Sequence, residues 1–344
     1  MRPLPLDDLV LPAGWSLRPA VPDDAGDLHR VAAAHDVSAC GSSTTSRAAV
    51  ESHVVGDGAA ARTHALVTDP RGGVVGWVSV HDRAAGRVIV GVSVEPGLAS
   101  ADADVVATAL YGWAEREGCR LAAERGLDRT QLDAGAFAGE ERKHRWLAAA
   151  GYARVRTWWQ MARAVVPTEA EPGAFPAPQD GVVVRQVVGD DGEPSEGDLR
   201  AVHDVLETAF TDHFNYHEES FDEFLERQQQ EVGHAWDHWW LGEVEDGTPA
   251  GALIGERSAG GDGPDGTYVA YLGVTQAARG RGVASSLLRA VIADAAERGR
   301  DRVTLEVDAD SPTGADRLYA SMGFEQRYST ESWHRDVPCH PVRP

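Results

Sequence analysis

The stretch "TQAARGRGVASSLL", residues 275–288, is the one place in the chain where a loop rich in glycine and arginine runs straight into a helix. Before it, "YVAYLGVT" (268–275) reads as a strand. After it, "ASSLLRAVIADAAERG" (284–299) places apolar residues at i, i+3, i+4 and i+7, the helical period. Gly280 and Gly282 carry no Cβ, so the backbone can turn tightly and approach a ligand. Successive N–H groups at a helix start, with the helix dipole behind them, make an anion site. Arg279 and Arg281 add full charge and fork-shaped donors suited to phosphate oxygens. A pyrophosphate is therefore a natural guest. The pattern is not a P-loop, because no lysine follows Gly282. It is not a dinucleotide fingerprint, because Ser285 stands where the third glycine belongs and a hairpin precedes it in place of a βαβ unit. An arginine-glycine RNA-binding segment would be repetitive and basic throughout. Taken alone, the loop also fits a tight structural turn.

Working outward, "RVTLEVDADSPTGADRLYASMGF" (302–324) gives a strand, a loop and a helix. Ser311 reads as its N-cap and Pro312 as its first residue, with Tyr319 two turns in. Upstream lie a short strand "GVVVRQV" (181–187), a helix "EGDLRAVHDVLETAF" (196–210) and a hairpin "WWLGEVEDGTPAGALIGERS" (239–258). The first half repeats this order with little sequence in common: "WSLRPA", "DDAGDLHRVAAAHD", "HALVTDPRGGVVGWVSV", "RVIVGVSV", "DADVVATALYGWAERE" and "RWLAAAGYARV". Between the halves, "VVPTEAEPGAFPAPQDG" (165–181) holds four prolines and reads as a linker. The expected fold is α+β in two tandem domains, 1–164 and 182–344, joined by 165–181. Each has a mixed, mostly antiparallel sheet flanked by helices.

The chain has 344 residues, 42% hydrophobic and 25% charged, normal for globular domains that bury their own cores. Net charge is −22, of which residues 1–170 carry −3 and residues 171–344 carry −19. Such a field opposes nucleic acid and anionic membrane and draws cations. No apolar run approaches the ~18 residues of a membrane span. The start, "MRPLPLDDLVLPAGW", has prolines and aspartates where a signal peptide needs apolar residues. Cys40, Cys119 and Cys339 form no CxxC pair, so reduced thiols in a cytoplasmic protein are expected. His213/His217 and His234/His238 are spaced to share helix faces, but no HExxH or CxxC supports a metal, and none is expected.

Val274-Thr275, then Arg279-x-x-Gly282-x-Ala284, then an amphipathic helix, resembles the acyl-CoA-binding signature of the GNAT N-acetyltransferase superfamily. The 302–324 stretch resembles that family's next motif. The resemblance covers roughly residues 182–336. The first half shares only element order, and the tandem layout is similar to mycothiol synthases and other actinobacterial two-domain acetyltransferases.

The resemblance implies an acetyl-CoA co-substrate held where strands four and five of the fold splay apart. Leu272, Gly273 and Val274 would face pantetheine, and a backbone N–H near Leu272–Gly273 would polarise the acetyl carbonyl. Arg279, Gly280, Arg281, Gly282, Val283, Ala284 and Ser285 would wrap the pyrophosphate. Tyr319 would be the general acid that protonates the leaving thiolate; a core tyrosine is the alternative. Many relatives carry a strand-four glutamate where this chain has Tyr268. The base is thus open among Glu306, Glu256, Glu218 and His217.

Residues 209–240, rich in aromatics, histidine and carboxylates, fall where the family builds its acceptor pocket, apt for a cationic amine. The expected activity is N-acetyl transfer to a primary amine of a small cationic metabolite by a monomer or homodimer. A non-catalytic acyl-CoA-binding protein and a peptide or protein acceptor are the alternatives, and acyl chain length is left open. In the first half, Glu95, Asp102 and Asp104 stand where the loop would be and oppose a pyrophosphate. Leu147 falls opposite Tyr319. That half reads as a degraded copy.

Overall fold

A computed structural model describes residues 11–83, 86–211, 218–245, 247–259, 263–311 and 314–339. The chain divides into two compact units. The first comprises Met1–Trp158, Asp308–Asp310 and Tyr328–Pro344; the second comprises Trp159–Val307 and Ser311–Arg327.

In the first unit, β1 (Ser16–Pro19), β2 (Arg62–Thr68), β3 (Val74–Asp82), β4 (Arg87–Val94) and β5 (Arg129–Phe137) lie side by side in chain order. All neighbours are antiparallel except β4 and β5, which are parallel. Residues 330–338 of β12 (Glu325–Pro338) add an antiparallel strand on β5. The helices are α1 (Ala25–Cys40), α2 (Arg47–Val54), α3 (Ser100–Glu124) and α4 (Glu141–Ala149). β6 (Ala153–Ala164) begins in this unit and ends in the next. Alternation decides the packing: Ala65 and Val67 on β2 enter the α3-side core, while Leu66 between them joins Leu28 and Val31 of α1.

Two of the three cysteines depart from the expectation of reduced thiols. Cys119 of α3 and Cys339, just past β12, form a disulfide, while Cys40 is free. They stand 220 residues apart in sequence, so no local motif announces the pair.

In the second unit, β7 (Val182–Gln186), β8 (Trp239–Val244), β9 (Thr248–Ser258), β10 (Gly266–Val274) and β11 (Arg302–Asp308) form the sheet, with the end of β6 beside β11. Pairings are antiparallel except β10 with β11. One face carries α7 (Val283–Glu297), which buries Leu287, Leu288 and Ile292 against Leu253, Val269 and Leu305. The other carries α5 (Glu196–Phe210) and α6 (Phe221–Gln229), whose Val202, Leu206 and Phe224 cover Trp239, Leu241 and Ile254. Ser195 caps α5, and Ser220 caps α6 with Glu223 returning the bond in a capping box.

The proline-rich stretch is ordered on this unit. Val165 is buried in the α7-side core, Phe175 packs on it, and Glu169 pairs with Arg163. α8 (Ala315–Ser321) begins later than expected: Gly314, at φ 68°, is its N-cap, so Ser311 is not. The left-handed conformation at 314 sets the start, and Pro312 lies outside the described residues. Among the described residues, no helix is long and apolar enough to cross a membrane. The expected α+β architecture, with mostly antiparallel pairing and hairpins at 64–80 and 239–258, is the one observed.

The position of α7 follows from two glycines. A Cβ on Gly251 would lie 2.5 Å from Val283 Cγ1 and 3.0 Å from Leu287 Cδ1, and one on Gly242 would lie 2.7 Å from Val283 Cγ1. Absent both, the first residue of the helix beds directly onto β8 and β9.

Unfolded in guanidinium without reductant, the protein should titrate one thiol, and three after reduction; three before reduction would disprove the Cys119–Cys339 bond. Gly251→Ala should cost ~1–3 kcal/mol in a urea melt by overpacking. Adding Val283→Ala should recover part of that, and no recovery would show that the contact is not what sets α7.

Candidate active site

Between β10 and α7, Gln276–Ala278 makes one 3-10 turn, closed by the Ala278 N–H donating to the Thr275 carbonyl at 3.0 Å. Gly280 and Gly282 follow at φ 79° and 75°, a region closed to most side chains. Gly282 is the N-cap of α7. The first-turn N–H groups of Val283, Ala284 and Ser285 have no carbonyl one turn back inside the helix, and the dipole adds its positive end there. The Ser285 and Ser286 hydroxyls both donate to the Gly282 carbonyl, at 2.8 and 2.9 Å. A Cβ on Gly280 would meet open space, but one on Gly282 would lie 2.8 Å from the Gln179 side chain. Arg279 is exposed. Arg281 pairs with Glu245 at 3.0 Å.

Beside this loop the sheet opens. The β10–β11 ladder runs from Thr267↔Val303 to Val269↔Leu305 and stops, although β10 continues to Val274 and β11 to Asp308. A bulge between Val269 and Tyr271 interrupts the pairing with β9 at the same point. Beyond it, Leu272, Gly273 and Val274 pair with Leu253, Ala252 and Gly251. Their other edge faces the gap, with backbone donors and acceptors available to a ligand that adds as a strand.

Tyr319 is buried on α8, its ring edge-on to Phe324 at 5.8 Å. Burial pushes its phenol up to about 12, and its hydroxyl makes no hydrogen bond among the described residues. Of the candidate bases, Glu306 is exposed on β11 and accepts from the Gln160 amide. Glu218 is exposed ahead of α6, and His217 lies outside the described residues. Glu256 differs. It is half-buried on β9 directly opposite Tyr268, one residue from where the β10–β11 ladder ends. Burial, with the nearby Glu231 carboxylate second, raises its carboxyl to about 7 against the opposing Arg227 charge.

Glu256 belongs to a cluster that sequence reading flagged as a stretch but did not resolve into residues. Arg227 of α6 grips Glu219 with two hydrogen bonds, at 2.9 and 2.6 Å, and donates to the Tyr271 hydroxyl at 2.9 Å. Its guanidinium stands 5.6 Å from the Tyr271 ring centre and 5.7 Å from that of Phe224. The turn carrying Glu231 is tied to β9 by the Arg257 N–H donating to the Gly233 carbonyl at 2.9 Å. A Cβ on Gly233 would lie 3.1 Å from that of Glu256. Arg227 and Glu231 fall within 209–240, but only the folded chain brings them to Glu256 and Tyr271.

The His234/His238 pair shares no helix face. His234 sits in the turn with its ring 4.3 Å from Trp236, and His238 ends a 3-10 turn. There the Nδ1 of His238 donates to Asp237 at 2.6 Å and its Nε2 accepts from Arg300 at 2.5 Å, so both ring nitrogens are used. His213 lies outside the described residues, and no cluster of metal-binding side chains occurs among those described.

The first unit repeats the opening with a different loop. Its parallel ladder runs from Arg87↔Gln131 to Val90↔Ala134 while β4 continues to Val94. Glu95 is paired with Arg30 at 2.6 Å. Arg142 donates to the Glu95 and Pro96 carbonyls at 3.4 and 3.3 Å and stands 4.7 Å over Trp146. The Trp146 indole N–H donates to Asp104 at 2.6 Å. Glu95, Asp104 and the Glu95 and Pro96 carbonyls thus all find partners within the unit.

Residues 199–324 match the acetyltransferase (GNAT) family. Among solved structures, a GCN5-related N-acetyltransferase from Sphaerobacter thermophilus is 24% identical with a TM-score of 0.76, the match covering 96% of this chain and 98% of that one. A tandem GNAT protein from the clavulanic acid biosynthesis pathway is 14% identical with a TM-score of 0.69, covering 96% and 100%. A Saccharomyces cerevisiae N-myristoyltransferase solved with bound myristoylCoA is 12% identical with a TM-score of 0.57, covering 98% and 88%. None of the curated protein sequences matches the chain. The structural likenesses establish the fold, and the family match lies over the glycine-rich loop, the opened ladder and Tyr319. Residues 199–324 thus match the acetyltransferase (GNAT) family, and the whole chain shares the fold of GNAT structures, one of them a tandem protein.

Proposed function

We propose that the second unit transfers an acetyl group from acetyl-CoA to a primary amine of a small cationic metabolite by direct attack on the thioester. The observation that carries this reading is Glu256, a half-buried carboxyl raised to about 7 beside the point where the β10–β11 ladder opens. The pantetheine arm would add along the free edge of Leu272–Val274, with its pyrophosphate at the start of α7. The acceptor would enter from the α6 side. Glu219, Glu231 and Glu256 supply negative charge there, and Phe224, Tyr271 and Trp236 supply ring faces for a cation.

The ionised Glu256 takes a proton from the acceptor ammonium, and the freed nitrogen bonds to the acetyl carbon. The C–S bond then breaks, Tyr319 gives its proton to the departing sulfur, and the second proton of the new C–N nitrogen passes to the tyrosinate through solvent, leaving a neutral amide and a protonated Tyr319. With its phenol near 12, Tyr319 stays protonated over the working range. Glu306, exposed and held by Gln160, is the weaker base. The similarity to mycothiol synthases rests on the two-copy layout. The first unit, with its loop compensated by Arg142 and Trp146, is read as a supporting copy.

Thiol release from acetyl-CoA over a panel of amines tests the activity. Wild-type kcat/KM should rise with pH through about 7 and level off, because the base works only when ionised. Glu256→Gln should lower kcat by ~10²–10³ and abolish that rise, and Tyr319→Phe should lower it by a similar ~10². Unchanged turnover in Tyr319→Phe removes it as the acid. The carboxyl's raised value also has a stability sign: folding gains from it below about 4.5 and loses that gain as pH climbs through about 7. Glu256→Gln should therefore melt higher than wild type at pH 8 and no higher at pH 4.5.

The two loop arginines should not be equivalent. Arg279→Ala should raise the Kd for CoA ~10-fold, the loss of one charge-assisted contact. Arg281→Ala should cost less, because Arg281 must leave Glu245 to reach a phosphate. Equal Kd values for wild type and both variants would refute the pyrophosphate assignment.

A further inference from the structure

The start of α7 is approached from a direction that the family signature does not encode. At the end of the proline-rich stretch, Gln179–Val182 makes a turn closed by the Val182 N–H donating to the Gln179 carbonyl at 2.9 Å, with Gly181 at φ 79°. The Glu245 N–H donates to the Gly181 carbonyl at 3.0 Å and ties this turn to the end of β8. Glu245 and its partner Arg281 each come within 3.8 Å of where a Gly181 Cβ would stand. The backbone of Gln179 is thus pinned beside the loop, and its side chain extends over the N-cap. Its Cδ and Nε2 lie 2.8 and 3.0 Å from the Cβ position of Gly282. The carboxamide is exposed and makes no hydrogen bond among the described residues, so its two N–H donors are unspent at the positive end of a 15-residue helix.

We propose that Gln179 is a donor-binding residue, its Nε2 donating to a pyrophosphate oxygen of acyl-CoA; this rests on reading the loop as the acyl-CoA site. Two features of the placement favour it. The amide contacts the same residue whose following N–H groups form the cradle, so an anion seated there is within its reach. It is also neutral: it adds a donor without a further charge for Glu245 to capture, unlike Arg281. Gly282 then has two reasons to lack a side chain, its positive φ and the room it leaves for the Gln179 amide.

Calorimetry on the full chain separates the possibilities, with CoA as one probe and S-acetylpantetheine, which lacks the pyrophosphate, as the other. Gln179→Ala should raise the Kd for CoA about 5–10-fold and Gln179→Glu by more than about 30-fold, with S-acetylpantetheine binding unchanged in both. If wild type binds CoA and Gln179→Ala binds it equally or more tightly, the side chain is a bystander or a plug and the proposal falls. A loss that extends equally to S-acetylpantetheine would mark a general structural effect and also overturn it. If wild type binds no CoA, the donor-site reading itself fails and this assignment fails with it.

Discussion

The Val283 side chain, resting on the bare backbones of Gly242 and Gly251, is the contact on which the arrangement of the second unit's candidate site depends. It brings the start of α7 down onto β8 and β9, leaving the chain from Val274 only a short turn before the helix begins. That closeness aims the first-turn N–H groups and holds them while β10 parts from β11. The anion site is therefore set mainly by backbone direction, with the arginines as additions, since one of them is already spent on Glu245. The first unit keeps the scaffold with a different loop. A Cβ on Gly76 would lie 2.7 Å from Val106 and 3.0 Å from Leu110, so α3 also beds on a glycine. The acidic residues Glu95 and Asp104 that follow its opened ladder are instead held by Arg30 and Trp146.

A net charge of −19 over residues 171–344 sits oddly with the anionic donor proposed above until distance is considered. Exposed charges more than about 8–10 Å apart are largely screened at physiological salt. Local arrangement then decides. On the α7 side, Arg279 and a helix start present positive potential. On the α6 side, Glu219, Glu231 and Glu256 outnumber Arg227. The start of α7 and the Arg227 cluster thus differ in local charge, whatever the sum over the domain.

Much of this was legible because it is local. The loop motif, the helix after it and the Gly-Phe that ends the last helix are short-range patterns, and so are the alternating strands. What escaped depends on separation. The Cys119–Cys339 bond joins residues 220 apart, and neither cysteine has a neighbour that hints at it. The His234/His238 spacing suggested a shared helix face, but Gly233 is pinned against β9 and the chain turns there instead. Ser311 and Pro312 resemble a helix start, yet Gly314 takes the left-handed conformation and moves it. Tyr268, in the place of the family's strand-four glutamate, left the base open. The base proposed above stands across the ladder, since β9 sets Glu256 opposite Tyr268 on the same side of the sheet.

That placement imposes a compromise. A general base transfers protons best when its own affinity lies near the working pH, and one that stays ionised far below neutrality is weak. Glu256 reaches that region through partial burial and a second carboxylate beside it, both of which cost folding stability when it is charged. Tyr319 pays in the same direction, its phenol buried with no hydrogen bond among the described residues. In the proposed transfer, the acid must hold its proton while the base has lost its own. Values near 12 and near 7 leave a broad interval above neutrality in which both conditions hold. Burial moves both proton affinities upward, from 4.5 to about 7 and from 10.0 to about 12, so it shifts the interval and does not widen it. Relieving the packing at Tyr319 would narrow the interval from above, whereas relieving it at Glu256 would extend the interval downward and leave a weaker base.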